Sequence, residues 1–431
     1  MSTTLSRRTF LQTAALAGVS MRLTSAARCQ EAPSNRIRVG VIGIAGQGAY
    51  NLTQAAKAGA EIVALCDVHE SRPEVAQIRA LHPQASFHTD FRKLLDQKGI
   101  DAVLISTPDH THAVATVAAL QSGRHVYCEK PLTHTVSEAR IVAETAARTR
   151  RVTQMGTQIH AGNNYRRCVE IIQAGVIGPV AEVHVWCGAS RSGGDRPAET
   201  PPVPPGLDFD LWLGPAPVRP YHPAYVPFHW RGWWDFGGGA LADMACHYCD
   251  LPFWALKLRH PTTVAADGPP PHPEAAAREL TVHYEFPARE GLPPVKLTWY
   301  DGGRRPTHFA MGILPQWGDG VLFVGSKGML LADYNKHRLL PEKDFQGFVP
   351  PAPSIPNSIG HHREWLEAIK SNGPTTCNFD YSGALTEAVL LGNVAYRLRR
   401  PITWDARSLK AVNDPEADRY VQHHYRQGWS L

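Results

Sequence analysis

The sequence predicts an α/β protein with a doubly wound parallel sheet in its N-terminal part and an open, mainly antiparallel sheet with helices in its C-terminal part. In the first third of the chain, short β-branched segments alternate with helical ones, which is typical of parallel sheets with crossover helices. Farther on, strand-like segments follow one another with few helices between them, as in antiparallel sheets. The 431 residues, 43% of them hydrophobic, suffice for two such domains.

The N-terminal strands are short and apolar, and each runs into a polar or glycine-rich turn. They are predicted at residues 37–42, 61–66, 102–106 and 125–128. A helix over 51–58 follows the first strand. The carboxyl ends of parallel strands meet at one edge of the sheet, where open α/β sheets bind ligands, so the turns after these strands are the candidate binding residues.

A glycine-rich segment joins the first strand to its helix. Gly43 and Gly48 hold the outer positions of a G-x-G-x-x-G pattern, whereas Ala45 takes the middle position and Gly46 is displaced by one. Such glycines let backbone N–H groups approach a pyrophosphate at a helix N-terminus, where the helix dipole favours an anion. A methyl group crowds this approach, so either the loop shifts or Gly46 serves instead. The pattern predicts a dinucleotide-binding Rossmann domain over residues 36–155.

Asp67 supports the same interpretation. It ends the second strand and lies 24 residues after Gly43. At that distance a carboxylate accepts hydrogen bonds from ribose hydroxyls. The same carboxylate would repel a 2′-phosphate, so the predicted cofactor is NAD, with NADP disfavoured.

The strand over 125–128 ends in the charged turn Glu129-Lys130-Pro131. Pro131 fixes its own φ and restricts the residue before it, so the direction of Lys130 is constrained. An amine held rigidly at the ligand-binding edge can transfer a proton or polarise a substrate oxygen. Taken alone, the turn is equally well explained by a solvated surface lysine.

The second half of the chain is predicted to form a C-terminal α/β substrate domain over residues 156–405, followed by a tail over 406–431. Its strands are predicted at residues 180–188, 279–286, 295–300 and 321–331. Helices are predicted at 164–174 and 361–370. Without crossover helices, these strands favour an antiparallel sheet.

Three glycines at 237–239 begin a further helix that is predicted to reach about residue 258. Asp243 and His247 are four residues apart on it and therefore share one face. An aspartate beside an imidazole fixes its tautomer and raises its basicity, as in a general base. A purely structural pair is one alternative, and half of a metal site is another. No third ligand is evident, so no metal is predicted.

Residues 1–27 have the features of a twin-arginine signal peptide. Arg7 and Arg8 lie in the signature segment, an apolar run covers 14–19, and small residues 25–27 suit cleavage. The pattern predicts export of the folded protein to the periplasm or another extracytoplasmic compartment. The apolar run is too short to span a bilayer, so no stable membrane association is predicted.

Composition excludes other classes. A formal net charge of +5 is too small for a nucleic-acid-binding protein. The eight cysteines form no disulfide framework, and Cys246 and Cys249 make one CxxC pair without a second. Buried free thiols are therefore the preferred interpretation.

The glycine loop, residues 107–112, Glu129-Lys130-Pro131 and residues 237–247 occur in the order seen in the Gfo/Idh/MocA oxidoreductases, which the chain resembles from Arg36 to Asp405. The resemblance implies a Rossmann domain, a C-terminal sheet domain and a substrate between them. It implies hydride transfer between nicotinamide and a sugar, inositol or related polyol. A subset of the family cleaves glycosides in a redox-neutral cycle on tightly held NAD, which is the alternative function. A non-catalytic, NAD-bound sugar-binding protein is a third.

The resemblance also implies roles for individual residues. Lys130, Asp243 and His247 match the catalytic set, with His247 as the base, Asp243 orienting it and Lys130 stabilising the substrate oxygen. The sequence leaves open which of His247 and Lys130 is the principal proton carrier. A cis peptide bond between Lys130 and Pro131 is implied as well. The positions that match the lining of the cofactor site are Thr107, Pro108, His112, Glu129 and Lys130.

Two polar and aromatic clusters are candidates for substrate binding. Aromatic faces with hydrogen-bond donors between them suit a carbohydrate ring, although core or interface packing explains tryptophans equally well. The candidates are Gln158, His160, Asn163 and Arg166 in one cluster, and Trp230, Arg231, Trp233 and Trp234 in the other. The expected partners are a small carbohydrate or polyol and further copies of the chain in a homo-oligomer.

Overall fold

The computed structural model describes residues 36–412 and 414–431, and residues 37–431 form one compact unit. The predicted signal peptide over 1–27 lies outside the described residues, and the division into separate domains at 155/156 stays a prediction. Within the described ranges, every helix falls short of the length and apolar character that a bilayer crossing requires.

The N-terminal half contains a six-stranded parallel sheet, as predicted. Its strands are β1 (Arg38–Ile42), β2 (Glu61–Cys66), β3 (Ser86–His88), β4 (Ala102–Ile105), β5 (His125–Cys128) and β6 (Thr153–Met155). They lie in the order β3-β2-β1-β4-β5-β6 with all neighbours parallel. The strand order reverses between β1 and β4, so a crevice opens at their carboxyl ends.

The helices of this half connect successive strands. They are α1 (Gln47–Lys57), α2 (Pro73–Leu81), α3 (Phe91–Asp96), α4 (Asp109–Gln121) and α5 (Val136–Thr149). Side-chain caps begin two of them. Asp90 accepts a hydrogen bond from the Arg92 N–H at the start of α3, and Thr135 and Glu138 form a reciprocal capping box on α5.

The C-terminal half contains a nine-stranded sheet. Its strands are β7 (Val180–Trp186), β8 (Thr263–Asp267), β9 (Thr281–Phe286), β10 (Val295–Tyr300), β11 (Gly320–Gly325), β12 (Gly328–Ala332), β13 (His337–Leu340), β14 (Ile402–Asp405) and β15 (Lys410–Ala411). Their order is β13-β12-β11-β7-β10-β9-β8-β14-β15. All neighbouring pairs run antiparallel except β7 and β10, which are parallel, so the predicted mainly antiparallel sheet is confirmed.

The remaining helices pack on and between the two sheets. They are α6 (Asn163–Gln173), α7 (Phe209–Leu213), α8 (Gly239–Tyr248), α9 (Asp250–Ala255), α10 (His361–Ser371), α11 (Phe379–Leu398) and α12 (Asp418–Val421). Short 3₁₀ helices lie at Gln158–Ala161, His229–Gly232, Glu342–Phe345 and Pro415–Ala417. The buried helix α11 contacts both α5 and α8, and thereby joins the two halves through one apolar core.

Two predicted elements differ from the structure. The single strand over 321–331 is the hairpin of β11 and β12, because the glycines at 325 and 328 flank a two-residue turn. The single helix running to about residue 258 is divided into α8 and α9 at Cys249. Pro252 lies in the first turn of α9, where it cannot donate to the carbonyl four residues earlier, so a continuous helix is disfavoured.

Candidate active site

A central cavity of about 380 Å³ lies at the carboxyl edge of the parallel sheet. Side chains from both halves of the chain line it. The glycine segment, Asp67, Thr107 and Lys130 contribute from the first half, and His247 from the second. The structure therefore brings most of the predicted cofactor-binding residues to one place, together with Lys130 and His247 of the predicted catalytic set.

The outer glycines of the loop are required by close packing. At Gly43, where φ is 78°, a Cβ would lie 2.7 Å from the Ser106 carbonyl oxygen. At Gly48 in the first turn of α1, a Cβ would lie 1.8 Å from the Gly43 carbonyl oxygen. Helix α1 can thus approach the end of β1 only with glycine at position 48.

Gly46 lies at the start of α1, directly after Ala45. It caps α1 with φ of 55°, is exposed, and has open space where a side chain would project. The first turn of α1 has neither an acidic residue nor a side-chain cap, so its positive end faces the cavity uncompensated. The chain's own residues therefore fit the pyrophosphate of a dinucleotide at this helix terminus.

We expect Gly48→Ala to lower the free energy of unfolding by about 1–3 kcal/mol, the range for overpacking a buried position. It should also weaken dinucleotide binding, because α1 must move away from the loop. Urea unfolding and calorimetric titration with NAD measure the two effects. Gly318→Ala is the matched control, since a Cβ there meets nothing within 4 Å. Equal stability of the two variants would contradict the packing argument.

Asp67 lines the cavity at the end of β2. Its carboxylate accepts hydrogen bonds from the backbone N–H groups of Ile44 and His69, both at 3.0 Å. Burial raises the pKa of Asp67, and these two N–H donors act in the opposite direction. The carboxylate is thus fixed beside the glycine loop, and its contact with a ribose stays a prediction.

Lys130 is held by Asp243 from the other half of the chain. Its Nζ donates to the Asp243 Oδ1 at 2.7 Å and to the Asp243 carbonyl oxygen at 2.7 Å. Arg231 Nε lies 3.3 Å from Oδ1, and Arg191 Nε lies 3.1 Å from Oδ2. Although burial opposes ionisation, the cations of Lys130, Arg231 and Arg191 hold the pKa of Asp243 well below its usual range. Three cations therefore share one carboxylate at the cavity wall.

The sequence predicted that Asp243 orients His247, but in the structure Asp243 pairs with three cations instead. Both Asp243 oxygens are taken by cations, which attract a carboxylate more strongly than a neutral imidazole does. His247 Nδ1 has no hydrogen-bond partner among the described residues. Burial and the nearby Lys130 lower the pKa of His247 to about 3, so its imidazole is neutral at ordinary pH. Asp243 orients Lys130 rather than His247.

Asp109 is a cavity residue to which the sequence analysis gave no role. It lies in the first turn of α4, is 4% exposed and lines the cavity. Burial raises the pKa of Asp109 well above its usual value, partly offset by the positive charge of Arg231. Asp109 directly follows Pro108 after strand β4, at the edge of the sheet where ligands bind, and this position could have identified it from the sequence.

Glu129 lies at the centre of a buried amide network. Its Oε1 accepts from Asn51 Nδ2 and from Gln158 Nε2, both at 2.7 Å, and from Gln47 Nε2 at 3.3 Å. Burial raises the pKa of Glu129. Glu129, Gln158 and Gln47 line the cavity. The network holds Glu129 in place at the cavity. Its two members on α1, Gln47 and Asn51, belong to no recognisable sequence motif, so the sequence did not predict them.

The turn after β5 has the predicted geometry. The peptide bond between Lys130 and Pro131 is cis, as the family resemblance implied. Thr107 and Pro108 line the cavity at the start of α4. His112 does not line it: its two ring nitrogens lie 2.8 Å from the carbonyl oxygens of Pro131 and Thr107. His112 braces the two turns from behind rather than touching a ligand.

Most of the first predicted substrate cluster lies away from the cavity. Gln158 lines it, but the exposed Asn163 only accepts from the Ser358 N–H. His160 is 1% exposed and stacks on Trp254 at 4.1 Å. Arg166 is buried and donates to the Pro356 carbonyl oxygen. Asn163, His160 and Arg166 therefore contact other parts of the second half rather than the central cavity.

Of the three tryptophans in the second predicted substrate cluster, one lines the cavity and two do not. Trp230 and Arg231 line the cavity, with the guanidinium carbon 4.1 Å from the Trp230 ring centre. Trp233 and Trp234 are buried, and their Nε1 atoms donate to the carbonyl oxygens of Ala224 and His272. Core packing, the alternative explanation, is therefore correct for these two.

A second cluster of potential metal ligands lies in the described part of the second half and around α11. His160, Asp250 and Cys377 bring three ligand-type atoms within 4.8 Å of one another. The Asp250 carboxylate already pairs with His160 Nδ1 at 2.9 Å and accepts from the Tyr381 hydroxyl at 2.7 Å. We interpret these three residues as a buried histidine with its hydrogen-bonding aspartate and a neighbouring thiol. None of them lines the central cavity.

Comparison with known families finds two matches. Residues 37–157 match the family described as an oxidoreductase family with an NAD-binding Rossmann fold. Residues 180–290 match the C-terminal α/β domain of the same oxidoreductase family. Together the two matches cover more than half of the chain and include all three proposed catalytic residues.

Individual relatives give the same picture. Inositol 2-dehydrogenase 1 of Saccharopolyspora erythraea is 35% identical over 34% of this chain and 44% of its own length. A glycosyl hydrolase family 109 protein of Solibacter usitatus is 32% identical over 40% of this chain and 43% of its own. The chain thus matches less than half the length of these relatives. Among solved structures, the WlbA dehydrogenase from Bordetella pertussis, in complex with NADH and UDP-GlcNAcA, superposes on this chain with a TM-score of 0.61. The two chains are 17% identical, and the match covers 86% of this chain and 99% of that one. That last likeness shows the fold.

Proposed function

The chain belongs to the Gfo/Idh/MocA oxidoreductase family, and we propose that it is an NAD-dependent oxidoreductase of a sugar, inositol or related polyol. The observation that carries this proposal is the pairing of Lys130 with Asp243, at 2.7 Å, in which Lys130 lines the same cavity as the glycine loop. A sugar-binding protein without catalysis has no use for a partly buried ammonium held in this way. Curated relatives that act on inositol support the substrate class.

In this proposal the nicotinamide, when bound, supplies hydride transfer to or from the substrate carbon. Lys130 hydrogen-bonds the substrate oxygen and carries the proton: its ammonium donates when a ketone is reduced, and its amine accepts when an alcohol is oxidised. The excess positive charge of Lys130, Arg191 and Arg231 stabilises the negative charge that develops on that oxygen. His247 hydrogen-bonds the substrate as a neutral imidazole, since accepting a proton beside Lys130 is unfavourable.

The test is a screen of sugars, inositols and polyols for reduction of added NAD, with protein that binds NAD in calorimetry. Turnover of at least one substrate, lost in Lys130→Met, is the expected result. A protein that binds both NAD and a sugar but converts none of the panel would overturn the enzymatic proposal in favour of the binding protein. Replacing NAD by NADP in the same assay tests the proposed preference, which rests on Asp67 at the ribose position.

Redox-neutral glycoside cleavage is the second candidate. Relatives named as glycosyl hydrolase family 109 proteins, 31–33% identical over 33–40% of this chain, favour it. An exported enzyme would also meet little free NAD, so a cycle that restores its cofactor would suit the predicted signal peptide. Incubating protein purified without added nucleotide with aryl glycosides separates the two candidates. Phenol release without net NADH supports cleavage, and dependence on added NAD supports the dehydrogenase.

We also propose export by the twin-arginine route, on the strength of the signature at Arg7 and Arg8. Cell fractionation of the full chain should place the mature protein outside the cytoplasm. An Arg7→Lys, Arg8→Lys double variant should stay inside. Equal distribution of both forms would contradict the proposal.

Trp230 is expected to contact the substrate ring, because it lines the cavity and is held in place by Arg231. Trp230→Ala should raise KM for the best substrate roughly tenfold, the factor that corresponds to about 1.4 kcal/mol. Trp234→Ala is the matched control, since it removes a tryptophan of the core outside the cavity and should change stability more than KM. Steady-state kinetics at matched folded concentration provide the measurement. The same KM change in both variants would remove Trp230 from the site.

A further inference from the structure

The last ten residues, 422–431, here called the C-terminal segment, follow α12 and run back to the parallel sheet. His423 stacks on His134 with ring centres 5.0 Å apart and an interplanar angle of 15°. The Tyr425 hydroxyl donates to Glu138 in the first turn of α5. The start of the segment is thus attached to the N-terminal half rather than to solvent.

The middle of the C-terminal segment is attached by Arg426. Its guanidinium donates to the Asp210 side chain and to the Asp210 carbonyl oxygen, both at 2.6 Å, and to the Gly214 carbonyl oxygen. The Arg426 N–H also donates to the Pro215 carbonyl oxygen at 3.2 Å. An arginine that satisfies this many acceptors fixes the backbone of the segment at the edge of the cavity.

Beyond this anchor, Trp429 enters the lining of the central cavity. Its ring lies 6.1 Å from the Phe91 ring at a tilt of 40°, and the Arg92 guanidinium lies 4.9 Å from it. Phe91 and Arg92 begin α3, which follows β3 at the outer edge of the parallel sheet. β3 is the neighbour of β2, whose end holds Asp67. Trp429 therefore faces the adenosine side of the cavity, away from Lys130.

We infer that Trp429 packs against the adenine of the bound dinucleotide and that the C-terminal segment, anchored at Arg426, slows release of the cofactor. The inference rests on the proposed NAD-dependent function. An indole offers an apolar face of the size of a purine, and an aromatic contact with a base is sequence-tolerant and strong. Because the segment is anchored at His423, Tyr425 and Arg426, just before Trp429, the indole is held over this end of the cavity and the cofactor leaves there only when the indole moves. A retained cofactor would suit the second candidate function, redox-neutral cleavage by an exported enzyme, because that cycle restores its NAD.

The test compares wild type, Trp429→Ala and Trp429→Phe for equilibrium affinity and for the dissociation rate of NAD, by calorimetry and by stopped-flow displacement. Trp429→Ala should weaken affinity about 10- to 100-fold and speed dissociation by a similar factor, which is the range found for losing one aromatic–base contact. Trp429→Phe should recover most of the loss. Trp317→Ala is the matched control, because Trp317 packs in a separate cluster of the second half and does not line the cavity.

Ligand fragments locate the contact. ADP-ribose should lose affinity in Trp429→Ala by the same factor as NAD, whereas nicotinamide mononucleotide should bind both proteins equally. Arg426→Gln, which keeps the indole but loosens its anchor, should speed dissociation of NAD more than it weakens ADP-ribose binding at equilibrium. A wild type that binds NAD with the affinity and dissociation rate of Trp429→Ala overturns this inference alone. A wild type that binds no dinucleotide overturns the proposed function together with it.

Discussion

Lys130→Met is expected to lower kcat about 10²- to 10⁴-fold, the usual effect of losing a positioned acid or base. Methionine keeps the length of the side chain but removes the ammonium that pairs with Asp243 at 2.7 Å. The proton carrier is then lost, and Asp243 keeps only its two arginine partners. Dinucleotide affinity should change little, because the glycine loop and Asp67 are untouched. Steady-state kinetics with the best substrate, together with calorimetry for NAD, measure the two quantities.

Lys296→Met serves as the control for this variant. Lys296 is an exposed lysine on β10, where it pairs loosely with Glu285 at 3.7 Å, and its loss should leave kcat unchanged. Asp243→Asn should reduce kcat through the same chemistry. It should also lower stability, since the cations of Lys130, Arg191 and Arg231 would then repel one another without a carboxylate between them. Near-native turnover of Lys130→Met with intact NAD binding would falsify the assignment.

His112→Gln is expected to make the free energy of unfolding less sensitive to acid. Burial lowers the pKa of His112 to about 4 in the folded protein, against about 6.5 in an unfolded chain. As pH falls from 6.5 to 4, His112 becomes protonated in the unfolded state but stays neutral in the folded state. The free energy of unfolding of the wild type therefore decreases. Over that window the loss from His112 is about 3 kcal/mol, at about 1.4 kcal/mol per pH unit.

The variant should therefore be less stable than the wild type at pH 7, where His112 braces the carbonyls of Thr107 and Pro131, and should approach or overtake it near pH 4.5. Urea unfolding at half-unit pH steps gives the two curves. Buried carboxyl groups such as Asp67 and Glu129, whose pKa values are raised, change both curves equally and cancel in the difference. Parallel curves from pH 7 to pH 4.5 would show that His112 titrates normally in the folded protein.

The sequence predicted those parts of the fold that local patterns determine. The strands over 61–66 and 125–128 have the predicted bounds because uninterrupted apolar runs end in charged or polar turns. Helix α11 was not predicted, since it is buried on nearly all sides and its apolar residues show little helical periodicity. The hairpin of β11 and β12 was taken for one strand because a two-residue turn hardly interrupts an apolar segment.

The same distinction applies to the site. Lys130 and the cis bond before Pro131 followed from a family motif, and the structure confirms the cis bond. The contact between Asp243 and His247 was inferred from helical spacing alone, which shows that two residues share a face but not which partner each prefers. Arg191, which takes the second oxygen of Asp243, lies 52 residues earlier in a loop. Sequence spacing carries no information on such a contact.

The position of β7 in the interior of the second sheet, between β11 and β10, has a consequence for how the chain acquires its structure. β7 (Val180–Trp186) is hydrogen-bonded to β10 and β11, which follow it by more than 100 residues. During synthesis the parallel sheet is complete once residue 155 has emerged, whereas β7 has no strand partner until residue 295 is made. We therefore expect the second half to gain its order late and slowly, as loop-closure entropy dictates for distant pairings. In pulse-labelled hydrogen exchange, amides of β1, β4 and β5 should become protected before those of β7.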